Sequence, residues 1–310
     1  MDSRPAAPDV DERFRFSPSK LKAYQGCEQR ATYHYLEDLR IDGKTTEALQ
    51  RGKIVHRYLE LWMHDDHLHP NDAMIILLKE FPTYQDQMLV AWGNTIMIRY
   101  INKYGEADHK RYKLHGVEER MQTTITTPKG REVTLDGIID AKVEDRSNGK
   151  FGPWDHKTSG RNLWTKKAVV FDMQLNFYSI LLAGAGYPVS FATINQIYSG
   201  IKDIKSVANT PIDKLFSRHT IDITPTTIDY WTELFGTKID KIIDGYDKPK
   251  DLRQDSSCVN CPYYGACELK LLRKDPTMYI DNILRPMIKN IGIDDLADMD
   301  DEAEDMFDAQ

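Results

Sequence analysis

Asp155 and Lys157 stand two residues apart in the string FGPWDHKT, and Asp140 lies fifteen residues before Asp155 in GIIDAKVED. On a strand, residues two apart face the same side, so a carboxylate and an ammonium would share one surface. Asp140 and Asp155 then offer hard oxygen ligands to Mg2+ or Mn2+. Lys157 is suited to orient an attacking water or to stabilise charge developing on a phosphate, the chemistry of metal-assisted phosphodiester cleavage. His56 adds an imidazole on a helical stretch, RGKIVHRYLE. Asp136 shares the face of Asp140 by parity and is the rival ligand, unless Gly137 marks a bulge that breaks the alternation.

A second set of metal-binding side chains is the cysteines. Cys27 stands near the start of the chain, and Cys258, Cys261 and Cys267 form a C-x2-C-x5-C cluster near the end. Four thiolates from the two ends could cage a metal or an iron-sulfur cluster and staple the domain. Zinc remains an alternative on ligand type alone. The split of one and three, the five-residue gap and Pro262 after Cys261 tilt the choice towards a cluster. Four thiolates leave no open position, so the cage is expected to be structural.

The elements that must position these groups follow from pattern. Ser17 and Pro18 mark an N-cap and first helical position, and a helix from there carries Cys27 near its exposed end. A second helix begins near Thr46, with Ile54, Val55, Tyr58, Leu59 and Trp62 as its apolar face. Residues 72–104 read as one or two helices. Strands start near Lys113: KLHGVEERMQTTITT, a PKG turn, REVTLDGIIDAKVED, then SNGK and FGPWDHKT. AVVFDMQLNFYSILLAGAG returns to a helical period, PVSFATINQIYSG is a strand, and ITPTTIDYWTELFGTKIDKIIDGY is an amphipathic helix.

At 310 residues and 41% hydrophobic content the chain can bury a sizeable core. There is no apolar run long enough to span a membrane and no signal-like N-terminus, so no membrane partner is expected. A reducing compartment follows, the cytoplasm of a prokaryotic or phage-infected cell, where disulfides are disfavoured. The net charge of −7 is unevenly spread. Residues 291–310 hold seven Asp and two Glu with no Lys or Arg, which leaves residues 1–290 at +2. Such a tail is expected to be disordered; it either solvates the chain, docks a partner or competes with nucleic acid for the basic body.

Taken in order, these strings resemble one family. GIIDAKVED followed by WDHKTS resembles the GxxD and (D/E)xK strands of the PD-(D/E)xK nuclease superfamily. RGKIVHRYLE is similar to the preceding helix of its RecB-like branch, QLNFY to the QxxxY motif after the lysine, and the four cysteines to the iron-sulfur subset of that branch, which includes AddB-type subunits and the cluster-bearing nucleases of CRISPR adaptation. The resemblance covers Phe16 to about Leu271.

The resemblance implies that His56, Asp140, Asp155 and the backbone carbonyl of His156 bind metal and that Lys157 is catalytic. Gln174 and Tyr178 would contact DNA or buttress the site; their spacing of four puts both on one helix face. Cys27, Cys258, Cys261 and Cys267 would hold a four-iron four-sulfur cluster. Glu118 occupies a strand position where this branch often carries an acid, near the metals or on the surface. Glu60, one turn after His56, is a candidate to fix its tautomer. The His156 side chain points to the opposite face from Asp155 and is expected to be packed.

The expected architecture is an α/β (α+β) fold with a restriction-endonuclease-like mixed sheet flanked by helices. Its segments would be a leader (1–12), a helical region with Cys27 and His56 (13–112), a nuclease core (113–250), a cluster-binding segment (251–290) and the acidic tail (291–310). The expected function is a metal-dependent DNA exonuclease acting on single strands or duplex ends. Tyr178 and Tyr263 are candidates to stack bases, although core positions are their ordinary fate. No phosphate loop of the GxxxxGK[ST] type is present, so any helicase or recombination partner is a separate chain. The alternatives are an inactive DNA-binding or assembly module of the same fold, and a zinc-stabilised interaction protein.

Overall fold

The computed structural model describes residues 11–39, 46–64, 68–160, 163–248, 250 and 256–285. The expected acidic tail lies outside the described residues, as does the leader up to residue 10. The chain divides into two compact units, each assembled from separate stretches. One comprises Met1–Thr45, Thr124–Asp136 and Glu233–Gln310, the other Thr46–Thr123 and Gly137–Thr232.

The strands are β1 (Arg15–Phe16), β2 (Tyr112–Thr126), β3 (Glu132–Asp145), β4 (Lys150–Ser159), β5 (Phe191–Tyr198) and β6 (Phe216–Asp222). They form one mixed sheet in the order β1-β3-β4-β5-β6, with β2 also on β3. The fold is therefore the expected mixed α/β arrangement with helices around a central sheet. β3 and β4 pair antiparallel from Asp145↔Lys150 to Ala141↔Trp154, and Asp140 and Asp155 are the next residue in each strand. β4 and β5 run parallel, with Lys157 beside Gln196. A parallel pair needs a crossover, and the helix Met173–Gly184 supplies it.

In the larger unit the helix Glu47–His64 buries Ile54, Val55, Tyr58, Leu59 and Trp62, the face expected from their spacing. These pack with Trp92, Ile96 and Tyr100 of the helix Tyr84–Arg111 and with Ala141, Val143 and Trp154 of the sheet. The stretch 72–104 falls in two helices, Pro70–Glu80 and Tyr84–Arg111, because Pro82 interrupts the first and Thr83 caps the second by accepting from the Asp86 amide at 3.1 Å.

In the other unit Ser17 caps the helix Pro18–Gly26, its hydroxyl accepting from the Lys20 amide at 3.1 Å. The helix stops at Cys27, whose backbone is extended. One apolar cluster gathers Ala23, Tyr24 and Ala31 with Ile242 and Tyr246, and another gathers Tyr33, Leu39, Tyr263, Ala266, Ile280 and Leu284. The turn between β2 and β3 is tied down by Asp240, which accepts from the Thr127 hydroxyl at 2.9 Å, the Lys129 amide at 3.0 Å and the Arg131 guanidinium at 2.8 Å.

Three elements depart from the expectations. β1 has only two residues and β6 lies in the stretch after PVSFATINQIYSG, for which the pattern yields no element. The expected helix AVVFDMQLNFY is broken: Lys166–Val170 is a separate short helix, and Asp172 caps Met173–Gly184 by accepting from the Leu175 amide at 2.7 Å. A short aspartate before an apolar run competes for the backbone donors of a new helix, which restarts the helix there.

Candidate active site

All the expected catalytic positions except Asp136 lie in the larger unit. His56, Glu118 and Asp140 each offer one ligand atom, and those atoms lie within 4.8 Å of one another. The His56 Nδ1 stands 3.9 Å from Asp140 Oδ2. Asp140 is in turn held by the backbone, since the His156 amide donates to its Oδ2 at 2.5 Å. That bond crosses from β4 to β3 and fixes Asp140 next to Asp155, as the register implies.

Glu118 reaches this group through an unusual backbone. Its φ of 47° is left-handed, a conformation that an L-residue with a long side chain rarely adopts. A left-handed residue inside β2 breaks the strict alternation of side chains, so strand parity alone could not tell where Glu118 points. Of its two expected placements, the structure has the one among the candidate ligands.

Asp155 is 1% exposed, and the Lys157 Nζ lies 3.3 Å from its Oδ1. The Lys157 ammonium also donates to Gln174 Oε1, and the Gln174 amide nitrogen donates to the Tyr178 hydroxyl at 2.7 Å. The QxxxY spacing thus builds a relay from Tyr178 through Gln174 to Lys157. Gly137 makes room for it: a side chain there would come within 3.0 Å of the Tyr178 ring and 3.2 Å of Leu181.

His156 faces away from Asp155 and is packed, as expected. Its imidazole is buried, with the Tyr100 ring 6.5 Å away and the His56 ring 6.3 Å away, and burial holds its pKa well below the usual imidazole value. The electrostatic influence of the neighbouring His56, Arg218 and Lys157 acts in the same direction.

Asp140, preferred to its rival Asp136, is the one that stands with His56 and Glu118 among the described residues, while Arg15 Nε lies 4.0 Å from Asp136 Oδ2. Several expectations need correction. Glu60 does not back His56: its carboxylate is 2.7 Å from Arg57, which also binds Glu80, and a guanidinium outcompetes a half-exposed imidazole for a carboxylate. Tyr178 and Tyr263 are 2% and 1% exposed, so neither ring presents a face to a base. Tyr263 donates its hydroxyl to the Leu39 carbonyl at 2.5 Å and belongs to the core.

The four cysteines all fall in the smaller unit and are half-buried, with no disulfide between them. Burial pushes the Cys267 thiol up to about 11, with Cys261, Cys27 and Cys258 adding to the shift. The Cys261 thiol is raised by burial too, with Cys27 and Cys258 among the causes, so the four form one electrostatic neighbourhood. The aromatic cluster of Tyr33 and Tyr263 packs against Cys261 and Cys267.

A central mixed sheet carries Glu118, Asp140, Asp155 and Lys157, and a helix brings the His56 imidazole to them, an arrangement suited to a nuclease. Residues 15–268 match the model of the PD-(D/E)XK nuclease superfamily, and the chain belongs to that superfamily. Its fold is similar to the crystal structure of a "putative exonuclease" from Eubacterium rectale, with a TM-score of 0.51 at 16% identity over 84% of this chain and 92% of that one. No curated protein matches.

Proposed function

We propose that this nuclease is a divalent-metal-dependent deoxyribonuclease of the RecB-like branch, acting as an exonuclease on single strands or duplex ends. The observation that carries the proposal is the convergence of His56, Glu118 and Asp140 within 4.8 Å, beside the Asp155–Lys157 pair. The hard carboxylate oxygens suit Mg2+ or Mn2+. His56, Glu118, Asp140 and Asp155 would hold the ion, with the His156 carbonyl as a further ligand.

A bound divalent ion supplies a Lewis acid at the phosphate and a more acidic water. The chain supplies the rest. Asp155 and Gln174 together hold the Lys157 ammonium in place, where it would orient a water or meet charge developing on a phosphate oxygen. Tyr178 fixes the Gln174 rotamer and thereby the position of the lysine.

The four thiols suit a structural four-iron four-sulfur cluster. Anaerobically purified protein is expected to be brown and to contain iron and acid-labile sulfide; zinc without iron would overturn this part.

The test of the activity is degradation of end-labelled and circular DNA, single- and double-stranded, in Mn2+ or Mg2+, beside EDTA and Lys157→Ala controls. Release of mononucleotides or short products from linear substrates, absent in both controls, is expected. Cleavage that survives in Lys157→Ala, or no cleavage by either protein, would overturn the proposal; cutting of circles would overturn its exonuclease part.

A further inference from the structure

The segment from Trp164 to Asp172 is attached at both ends to neighbours of Lys157. At its start the Trp164 amide donates to Gln196 Oε1 at 2.7 Å, and Gln196 is the β5 residue paired with Lys157. At its end Asp172 caps the helix whose Gln174 receives the Lys157 ammonium. The segment therefore flanks the site in the chain and in space.

Its interior is held firmly. Val169 is fully buried in a cluster with Leu175, Ala192, Ile194, Ile221 and Ile223. Asn176 donates to the Val170 carbonyl at 3.3 Å and to the Asp172 carbonyl at 2.7 Å. The Asp172 amide donates to the Val169 carbonyl at 3.1 Å. On this anchored segment Phe171 is nonetheless 77% exposed and Val170 43% exposed, and Lys166 and Lys167 are exposed as well.

Single exposed apolar residues are ordinary on protein surfaces. Here an aromatic ring is held out on a pinned segment, next to an apolar neighbour and two lysines, three residues before a group that aims the candidate catalytic lysine. An aromatic face beside cations matches an unpaired nucleotide, whose base stacks and whose phosphates are anionic. A base inside a duplex has no free face to offer.

We infer that Phe171 is a strand-binding residue that stacks on an unpaired base adjacent to the scissile phosphate, with Lys166 and Lys167 contacting phosphates of the same strand. The substrate class at this site is then single-stranded nucleic acid, either free or as the frayed end of a duplex. This inference rests on the nuclease function proposed above and takes over the stacking role that the buried Tyr178 and Tyr263 do not fill.

The test measures binding of the full chain to a fluorescent oligothymidylate in EDTA, where strand affinity is read without cleavage, next to an abasic oligonucleotide of equal length. Phe171→Ala is expected to weaken binding to oligothymidylate by roughly 5- to 150-fold, the range of one lost base–aromatic stack, and to leave binding to the abasic strand unchanged. Phe171→Trp should restore affinity. Lys166→Ala with Lys167→Ala should weaken both strands alike and flatten the salt dependence by about two counterions.

Equal affinity of the native protein and Phe171→Ala for oligothymidylate would overturn the inference, as would an equal loss on the abasic strand. A change in oligomeric state with strand affinity intact would assign Phe171 to a protein interface and also overturn it. Cleavage in Mn2+ is scored separately: native protein that cuts DNA while Phe171→Ala binds as tightly keeps the nuclease function and removes only this role. Thermal melting of Phe171→Ala should match the native protein, because the removed ring is exposed.

Discussion

The Lys157 ammonium is shared between Asp155 Oδ1 at 3.3 Å and the side-chain oxygen of Gln174, so one cation is positioned by a carboxylate from its own strand and an amide from the crossover helix. A lysine held by two fixed acceptors has little freedom to reorient. Lys157→Ala is expected to lower kcat on the order of 10²–10³-fold. Gln174→Ala, which frees the lysine without removing it, should lower kcat by roughly 10- to 100-fold with a small change in KM. The double variant should be little worse than Lys157→Ala, because the two residues act as a unit. Steady-state kinetics on a labelled strand check all three.

Glu118 and Asp140 converge with His56, whereas Asp136 sits beside Arg15. Glu118→Gln and Asp140→Asn should each shift the Mn2+ dependence of cleavage to concentrations at least ~10-fold higher, as read from a metal titration at saturating DNA. Asp136→Asn should leave the titration where it is. A shift for Asp136→Asn and none for Glu118→Gln would reassign the metal site.

The cysteines and Lys157 lie in different units, so their losses should have different signatures. Cys258→Ser is expected to lose bound iron and visible absorption together with thermal stability. Lys157→Ala should keep the iron, the colour and the melting temperature of the native protein while losing activity. Iron analysis and melting curves on the same two preparations make the comparison.

Asp145 at the end of β3 gives an acid-linked prediction. Burial by itself would raise its carboxyl, but the Ser147 hydroxyl and amide and the Arg111 guanidinium outweigh burial and hold the pKa below the usual carboxylate value. The folded chain therefore binds a proton there less readily than the unfolded chain. The stabilisation is present above the unfolded pKa of about 4 and is lost as pH falls through the folded value. Asp145→Asn should be less stable by about 1–2 kcal/mol at pH 7, with the gap closing below about pH 4. Urea unfolding at several pH values checks this.

Much of the site could be read from residue order because its parts are local in pattern. Asp155 and Lys157 share a face by strand parity, and Gln174 and Tyr178 share one by helical spacing; both relationships are present in the structure. What could not be read depends on long-range or irregular backbone. Asp140 is preferred to Asp136 on motif alone, but its placement beside Asp155 depends on the antiparallel register with β4, which no local pattern carries. Glu118 joins the ligands through a left-handed φ that no periodicity predicts. The break at Phe171–Asp172 was hidden because the apolar period continues across it, and the aspartate cap was the one local signal. β1 and β6 are too short or too polar to stand out before their partners are known.

The scattering of the smaller unit over three stretches has a consequence for the order of events on the ribosome. Cys27 leaves the tunnel long before Cys258, Cys261 and Cys267, with the whole of the larger unit made in between. At about 5–20 residues per second this is a delay of roughly 10–50 s. During that time the first thiol waits exposed and unligated, open to oxidation. Nuclease chemistry can be assembled while the chain is still growing, but the four-cysteine site can be filled only after nearly all of it has been made.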